Sequence, residues 1–323
     1  MKGDEEPPDW KCLDPWWSAF TASGPVANVS IPARVVGMDH LADLWDELDS
    51  WWDTYSETGT ETAVQLAEHL RQSNRDWTTA AAPFDTDPLA VDLTRDRIRR
   101  GPLQPSTEVG WSRWLAQVLR PSAALSTELF DRPEGQPPQE VILEDTLPKS
   151  DGSSRRPDIL LLYDDCGVSI EVKLDDENYQ KTAETAALVE AYYDDLEWSH
   201  YLLLPKRKMS RLDAIVEPLL TELPDGRTEI AWDDPGPVTV LHWRDVTTAI
   251  RTLLYHADIV DDHWGANAYL FCAVAEQQLL KFQSQPVIEQ LAAPATVVNT
   301  ARPIRIAHTL GEQLTYLRER VFP

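Results

Sequence analysis

Cysteine is scarce in this chain of 323 residues: Cys12, Cys166 and Cys272 are odd in number and stand far apart. That spacing supports neither a disulfide framework nor a zinc site. The three thiols are expected to be reduced and partly buried. His256 and His263 have no companion acid or thiol that makes a metal set. No apolar run approaches the length that crosses a bilayer. The start, MKGDEEPPDW, is acidic and carries prolines, unlike a signal peptide. A cytoplasmic protein with no membrane partner is therefore expected. There is no Gly-rich phosphate loop, no nucleophile elbow and no internal repeat. Lysine is also sparse, supplying 8 of the 29 basic residues against 21 arginines.

Acid is what the chain has in excess. Its 54 Asp and Glu leave a net charge of −25 and a pI near 4.5, which opposes a polyanion at long range. Excess acid with little lysine points to a salt-adapted cytosol, such as that of a halophilic microbe. A GC-rich genome explains the arginine bias but not all of the acid. In high salt, counterion release adds little to DNA affinity, so binding would rest on short-range hydrogen bonds and shape. With 42% hydrophobic residues and 13 tryptophans, a sizeable core is within reach. The length suits one large domain, or a core with attached helical regions.

Residues 156–174 read RPDILLLYDDCGVSIEVKL. Two apolar runs, Ile159–Leu162 and Val168–Val172, flank an acidic turn with one glycine, which predicts a β-hairpin with a buried face. Asp158 enters the first strand. Glu171 and Lys173, two apart near the end of the second, point to the same face. Two carboxylates and a lysine then converge at one end of the hairpin. Carboxylates about 4 Å apart repel by roughly 4 kcal/mol at an effective dielectric of about 20, so a cation is expected between them. Oxygen ligands with room for water suit Mg²⁺, with Mn²⁺ as a substitute, better than zinc.

Pro157-Asp158, twelve intervening residues and Glu171-Val172-Lys173 resemble the signature of the PD-(D/E)XK nuclease superfamily. That family places a glutamate on a helix before the hairpin. Here Glu108 opens TEVGWSRWLAQVLRP, where Val109, Trp111, Trp114, Leu115, Val118 and Leu119 recur at helical spacing and Pro121 ends the run. The family's next helix and strand are matched by 177–193 and by Tyr201–Leu204, and a strand leading into a helix by 238–246. The resemblance covers roughly residues 105–255 in the family's order of elements. It implies an α/β restriction-endonuclease-like core, a central mixed sheet flanked by helices, between a mostly helical region at 1–104 and a helical extension at 256–323.

It further implies hydrolysis of phosphodiesters, in DNA by analogy, with Asp158, Glu171, the Val172 carbonyl and Glu108 holding Mg²⁺ and Lys173 orienting the nucleophile. A role in defence or repair is the family-level expectation. So are a nucleic-acid partner and, beside it, a protein partner or a homodimer that cuts both strands. Gln180 and Lys181, after the lysine strand, match polar residues that approach metal or DNA in the family. Two alternatives stand beside this reading: a catalytically silent nuclease-like scaffold that binds nucleic acid or protein, and an unrelated α/β protein whose acids reflect salt adaptation.

Elsewhere the sequence is less specific. Lys206-Arg207-Lys208 with Arg211 is the strongest basic cluster and a candidate backbone-binding loop. Arg155 and Arg156 either position a phosphate or neutralise neighbouring acids. The knot at 95–100 reads either as a phosphate contact or, favoured on composition, as a solvated helix face paired with Asp92 and Asp96. Residues 1–37 are irregular, with Trp10, Trp16 and Trp17 as packing residues rather than base-stacking platforms. Helices are predicted over 38–52, 61–71, 244–256, 264–282 and 306–321, a first strand over 140–143, and irregular connections over 73–107, 131–139 and 212–237. Asp175 and Asp176 are expected to cap the helix that follows them. Glu140 and Glu144 are candidate accessory acids.

Overall fold

A computed structural model describes residues 41–77, 84, 86–93, 105–130, 135–292 and 303–318. The chain divides into compact units at Asp53/Thr54, and every element below the first lies within the second unit. Helix α1, Leu41–Trp77, is continuous where two helices are predicted. The linking residues 53–60 contain no proline, and Gly59 alone does not interrupt a helix of this length. Ala63, Ala67, Leu70 and Trp77 form its buried face, at helical spacing. The tryptophans at 10, 16 and 17, Cys12, Met38 and the basic knot at 95–100 lie outside the described residues.

Helix α2, Glu108–Leu119, starts where Thr107 accepts a hydrogen bond from the Gly110 N–H, and it stops before Pro121. A short helix α3, Ala123–Phe130, follows. Then come β1 (Glu140–Leu143), the small pair β2 (Leu147–Pro148) and β3 (Ser154–Arg155), β4 (Ile159–Leu162) and β5 (Cys166–Val172). The predicted hairpin is present: β4 and β5 pair antiparallel, with Ile159 opposite Ile170 and Leu162 opposite Gly167. Helix α4, Gln180–Tyr192, leads to β6, Glu197–Leu204, which pairs parallel with β5.

Residues 212–237 are not an irregular connection. They hold most of helix α5 (Met209–Ile215) and the hairpin β7 (Leu220–Glu222) and β8 (Thr228–Ala231), which extends the sheet beyond β9 (Pro237–His242). Pro218, Pro224 and Pro235 fall between these elements, and Pro237 is the first residue of β9, where a missing N–H is tolerated. The seven-stranded mixed sheet runs β1-β4-β5-β6-β9-β8-β7. The chain continues through α6 (Trp243–Tyr255), α7 (Asp262–Gln278), α8 (Gln285–Leu291) and α9 (Pro303–Tyr316).

Alternating residues feed the two faces of the sheet. Ile159, Leu161, Val168, Ile170, Val172 and Leu203 point into the main core with α2, α6 and α7. Leu202, Leu204, Val238 and Val240 face a second cluster that includes Leu212 of α5. Each fully buried Leu, Ile or Val contributes roughly 1.5–3 kcal/mol relative to exposure. Trp264, Phe271 and Cys272 of α7 belong to the main core, so that helix completes the interior. Cys166 and Cys272 are buried thiols that form no disulfide.

Candidate active site

The carboxyl ends of β5 and β6 lie side by side, and the Lys173 N–H donates to the Leu203 carbonyl at 2.9 Å. Open α/β sheets present ligands at this end of their parallel strands. Asp158, at the entry to β4, is drawn to the same place because its Oδ2 accepts from the Val172 N–H at 2.7 Å. Glu171 and Lys173 share one side of the chain, and Lys173 Nζ is 2.8 Å from Glu171 Oε1. The hairpin thus brings together the two carboxylates and the ammonium that its spacing predicts.

Glu108, the first residue of α2, arrives from across the fold. Its Oε1 accepts from three successive backbone N–H groups, Leu174 at 2.5 Å, Asp175 at 3.1 Å and Asp176 at 3.4 Å. The carboxylate therefore fixes the turn that follows Lys173. Asp175 and Asp176 do not cap α4, contrary to expectation. Tyr179 holds the N-cap position without a side-chain hydrogen bond, while Asp176 Oδ1 accepts from the Asn178 N–H and its Oδ2 lies 3.4 Å from Lys173 Nζ.

Crowded acids shift one another. Burial, reinforced by the charge of Glu171, pushes the Asp158 carboxyl up to about 7. Burial also raises Glu171, although Lys173 pulls the other way. Desolvation opposes the Lys173 ammonium, but Glu171 and then Asp176 and Asp158 outweigh it, so the amine is held above its ordinary value. Slight burial works against Asp176, yet the Asn178 N–H and the charges of Lys173 and Lys181 keep its carboxyl low.

Does this donor set suit a divalent cation? Glu171 Oε2 is buried and has no hydrogen-bond partner among the described residues, and the charge of Glu171 disfavours ionisation of Asp158. A hard cation would relieve both conditions. The set fits in chemistry. It is not gathered into a cage, for among the described residues no group of three His, Cys, Asp or Glu side chains could hold a metal ion.

The basic residues fall into two classes. Arg155 is turned to Glu184, which it shares with Lys149, the neutralising role of the two foreseen for it. Arg156 is exposed, as are Gln180 and Lys181 at the start of α4. Lys206 and Arg207 are exposed on a 3₁₀ turn directly after β6. Lys208 Nζ donates to the Asp175 carbonyl at 2.8 Å, which ties this turn to the one that Glu108 anchors. Arg211 pairs with Glu177 at 2.8 Å. Glu144 pairs with Arg113 at 2.7 Å, and Glu140 is exposed on β1. Asp176 is the residue that sequence reasoning missed at this site. The signal was its place three beyond Lys173, within reach across a turn.

No helix among the described residues is long and apolar enough to cross a membrane. No protein-family model, curated protein or solved structure matches this chain.

Proposed function

We propose that this protein is a Mg²⁺-dependent nuclease of the PD-(D/E)XK type, with a restriction-endonuclease-like core, that hydrolyses phosphodiester bonds in DNA. One observation carries the reading: Asp158, Glu171 and Lys173 converge at the carboxyl end of β5, while Glu108 of α2 holds the turn beside them. Asp158, Glu171 and the Val172 carbonyl would hold the cation, with Glu108, whose Oε1 takes the N–H groups of the turn, completing the shell through water. When bound, the cation neutralises charge on the phosphate and lowers the pKa of water. Lys173 keeps its proton, because carboxylates surround it, and its ammonium orients the attacking water and offsets developing negative charge. Arginine there would not be equivalent, since a compact ammonium fits where a planar fork does not.

In this reading the exposed Lys206 and Arg207, on the turn that Lys208 ties to Asp175, supply phosphate contacts, and the exposed Gln180, Lys181 and Arg156 add to them. A second reading, a silent nuclease-like scaffold, draws on the lack of a three-ligand group among the described residues. A role in defence or repair, and action as a homodimer or beside a protein partner, belong to the same proposal.

The test is incubation of the purified protein with supercoiled plasmid and single-stranded DNA, in Mg²⁺ or Mn²⁺, from low to molar salt. Cleavage that needs metal and disappears in Asp158→Ala and Lys173→Ala supports the enzyme. DNA binding without cleavage in every condition favours the scaffold.

A further inference from the structure

Building on the nuclease reading, we propose that Asp176 is a positioning residue that holds the Lys173 ammonium from the solvent side while Glu171 holds it from the strand. Nζ lies 2.8 Å from Glu171 Oε1 and 3.4 Å from Asp176 Oδ2. An ammonium offers three protons in a tetrahedral fan. Two carboxylates engage two of them, and the third is left for a reacting group.

Asp176 is delivered to this place by the fold. Its Oδ1 accepts from the Asn178 N–H at 3.0 Å, a local turn that fixes the side chain. Its own N–H donates to Glu108 Oε1, so the first residue of α2 sets the turn that carries it. The Lys173 backbone is fixed in turn by the Leu203 carbonyl. Lysine and aspartate are therefore anchored at two points of one turn, Lys173 by Leu203 and Asp176 by Glu108, and their side chains meet across it.

The arrangement solves a conflict at Glu171. That carboxylate has Oε1 on Lys173, while its buried Oε2 has no partner among the described residues. A ligand that draws Glu171 away would loosen a lysine held by Glu171 alone. Asp176 keeps the ammonium in place while Glu171 adjusts. Its side chain is 42% exposed against 11% for Glu171, so it can do this without becoming a buried ligand itself. Outer partners of this kind typically change activity by about 10–100-fold when removed.

The experiment is NMR of the full chain labelled with ¹⁵N, following the Lys173 ammonium signal, which persists only while carboxylates slow its exchange with water. Mn²⁺ titration and cleavage kinetics run beside it. The expected result is a signal in the wild type that is lost in Asp176→Asn and restored in Asp176→Glu. Mn²⁺ affinity is unchanged in Asp176→Asn but lost in Asp158→Ala. The value of kcat for Asp176→Asn falls about 10–100-fold, with KM little changed. An ammonium signal that survives Asp176→Asn overturns the proposal. So does loss of Mn²⁺ binding in that variant, which would make Asp176 a ligand. A wild type that neither binds Mn²⁺ nor cleaves DNA overturns the nuclease reading, and the ammonium signal still decides whether Asp176 holds Lys173.

Discussion

The guanidinium of Arg251 meets Asp87 at two points, Nη1 to Oδ2 at 2.7 Å and Nη2 to Oδ1 at 2.9 Å, across 164 residues of chain. Glu276 takes the other edge through Nε and Nη2, and the Tyr316 hydroxyl donates to Glu276 Oε1 at 2.8 Å. The Trp77 ring lies 5.4 Å from the guanidinium carbon. All of these side chains are buried, so one cation faces two acids in the interior. Arg251→Met would leave both acids without their counter-charge. The expected loss is about 3–5 kcal/mol, read as a lower urea midpoint, whereas Glu276→Gln removes the surplus negative charge and costs less. Equal losses in the two variants would contradict this account.

The carboxyl of Asp158 gives a pH signature that needs no substrate. Its pKa is raised in the fold to about 7 from an ordinary 3.8. The native state therefore holds a proton that the unfolded chain has released, and stability falls as pH rises through that window. Metal-free protein should melt at a higher temperature near pH 5 than near pH 8. Asn at 158 can still accept from the Val172 N–H, so Asp158→Asn should melt higher at pH 8 and show a shallower slope. A slope that is the same in the variant would place its origin elsewhere in this acidic chain.

Gly167 in β5 lies against the Trp198 ring of the neighbouring β6. A Cβ added there would stand 2.5 Å from a ring carbon, and the ring is wedged against Tyr193, with 5.7 Å between centroids. Gly167→Ala should cost about 1–3 kcal/mol, as overpacking does. Thermal melts of Gly167→Ala, Trp198→Leu and the double variant test the cause. The second substitution should remove most of the penalty of the first.

If the protein binds DNA, its basic residues should contribute unequally. Arg155 is engaged with Glu184 and Lys208 with the Asp175 carbonyl, while Lys206 and Arg207 stand exposed on the turn after β6, with Arg207 Nη1 in a long 3.5 Å bond to the Leu279 carbonyl. The Lys206→Ala/Arg207→Ala double variant should weaken binding and flatten its salt dependence, by roughly one unit of slope for each phosphate no longer neutralised. Arg155→Ala should change both much less. Fluorescence anisotropy with a labelled duplex at several salt concentrations separates the two.

The hairpin was legible because its two apolar runs and acidic turn are contiguous, and α2 because its apolar residues keep helical spacing up to Pro121. The sheet extension was not. In Leu220–Glu222 and Thr228–Ala231 the acids Glu222 and Glu229 sit on short strands beside prolines, so composition hides a period of two. The break expected within α1 followed the polar stretch at 53–60, but such a stretch can turn one face of a helix to solvent. At the site, Asp158, Glu171 and Lys173 could be read locally. The pair Asp175-Asp176 before a helix imitates a cap, and only the fold shows Glu108 taking the N–H groups of that turn from 66–68 residues away. Long-range hydrogen bonds to backbone leave no spacing in a sequence.

Among the described residues, the sheet ends on one side in the four residues of β1 and on the other in the three residues of β7. Edges this short give a second chain little template on which to add a strand. With a net charge of −25, like copies also repel one another. Runaway edge-to-edge stacking is thus discouraged twice. If two copies do work as a pair, their interface should come from helices and loops, and it should tighten as salt screens the acid.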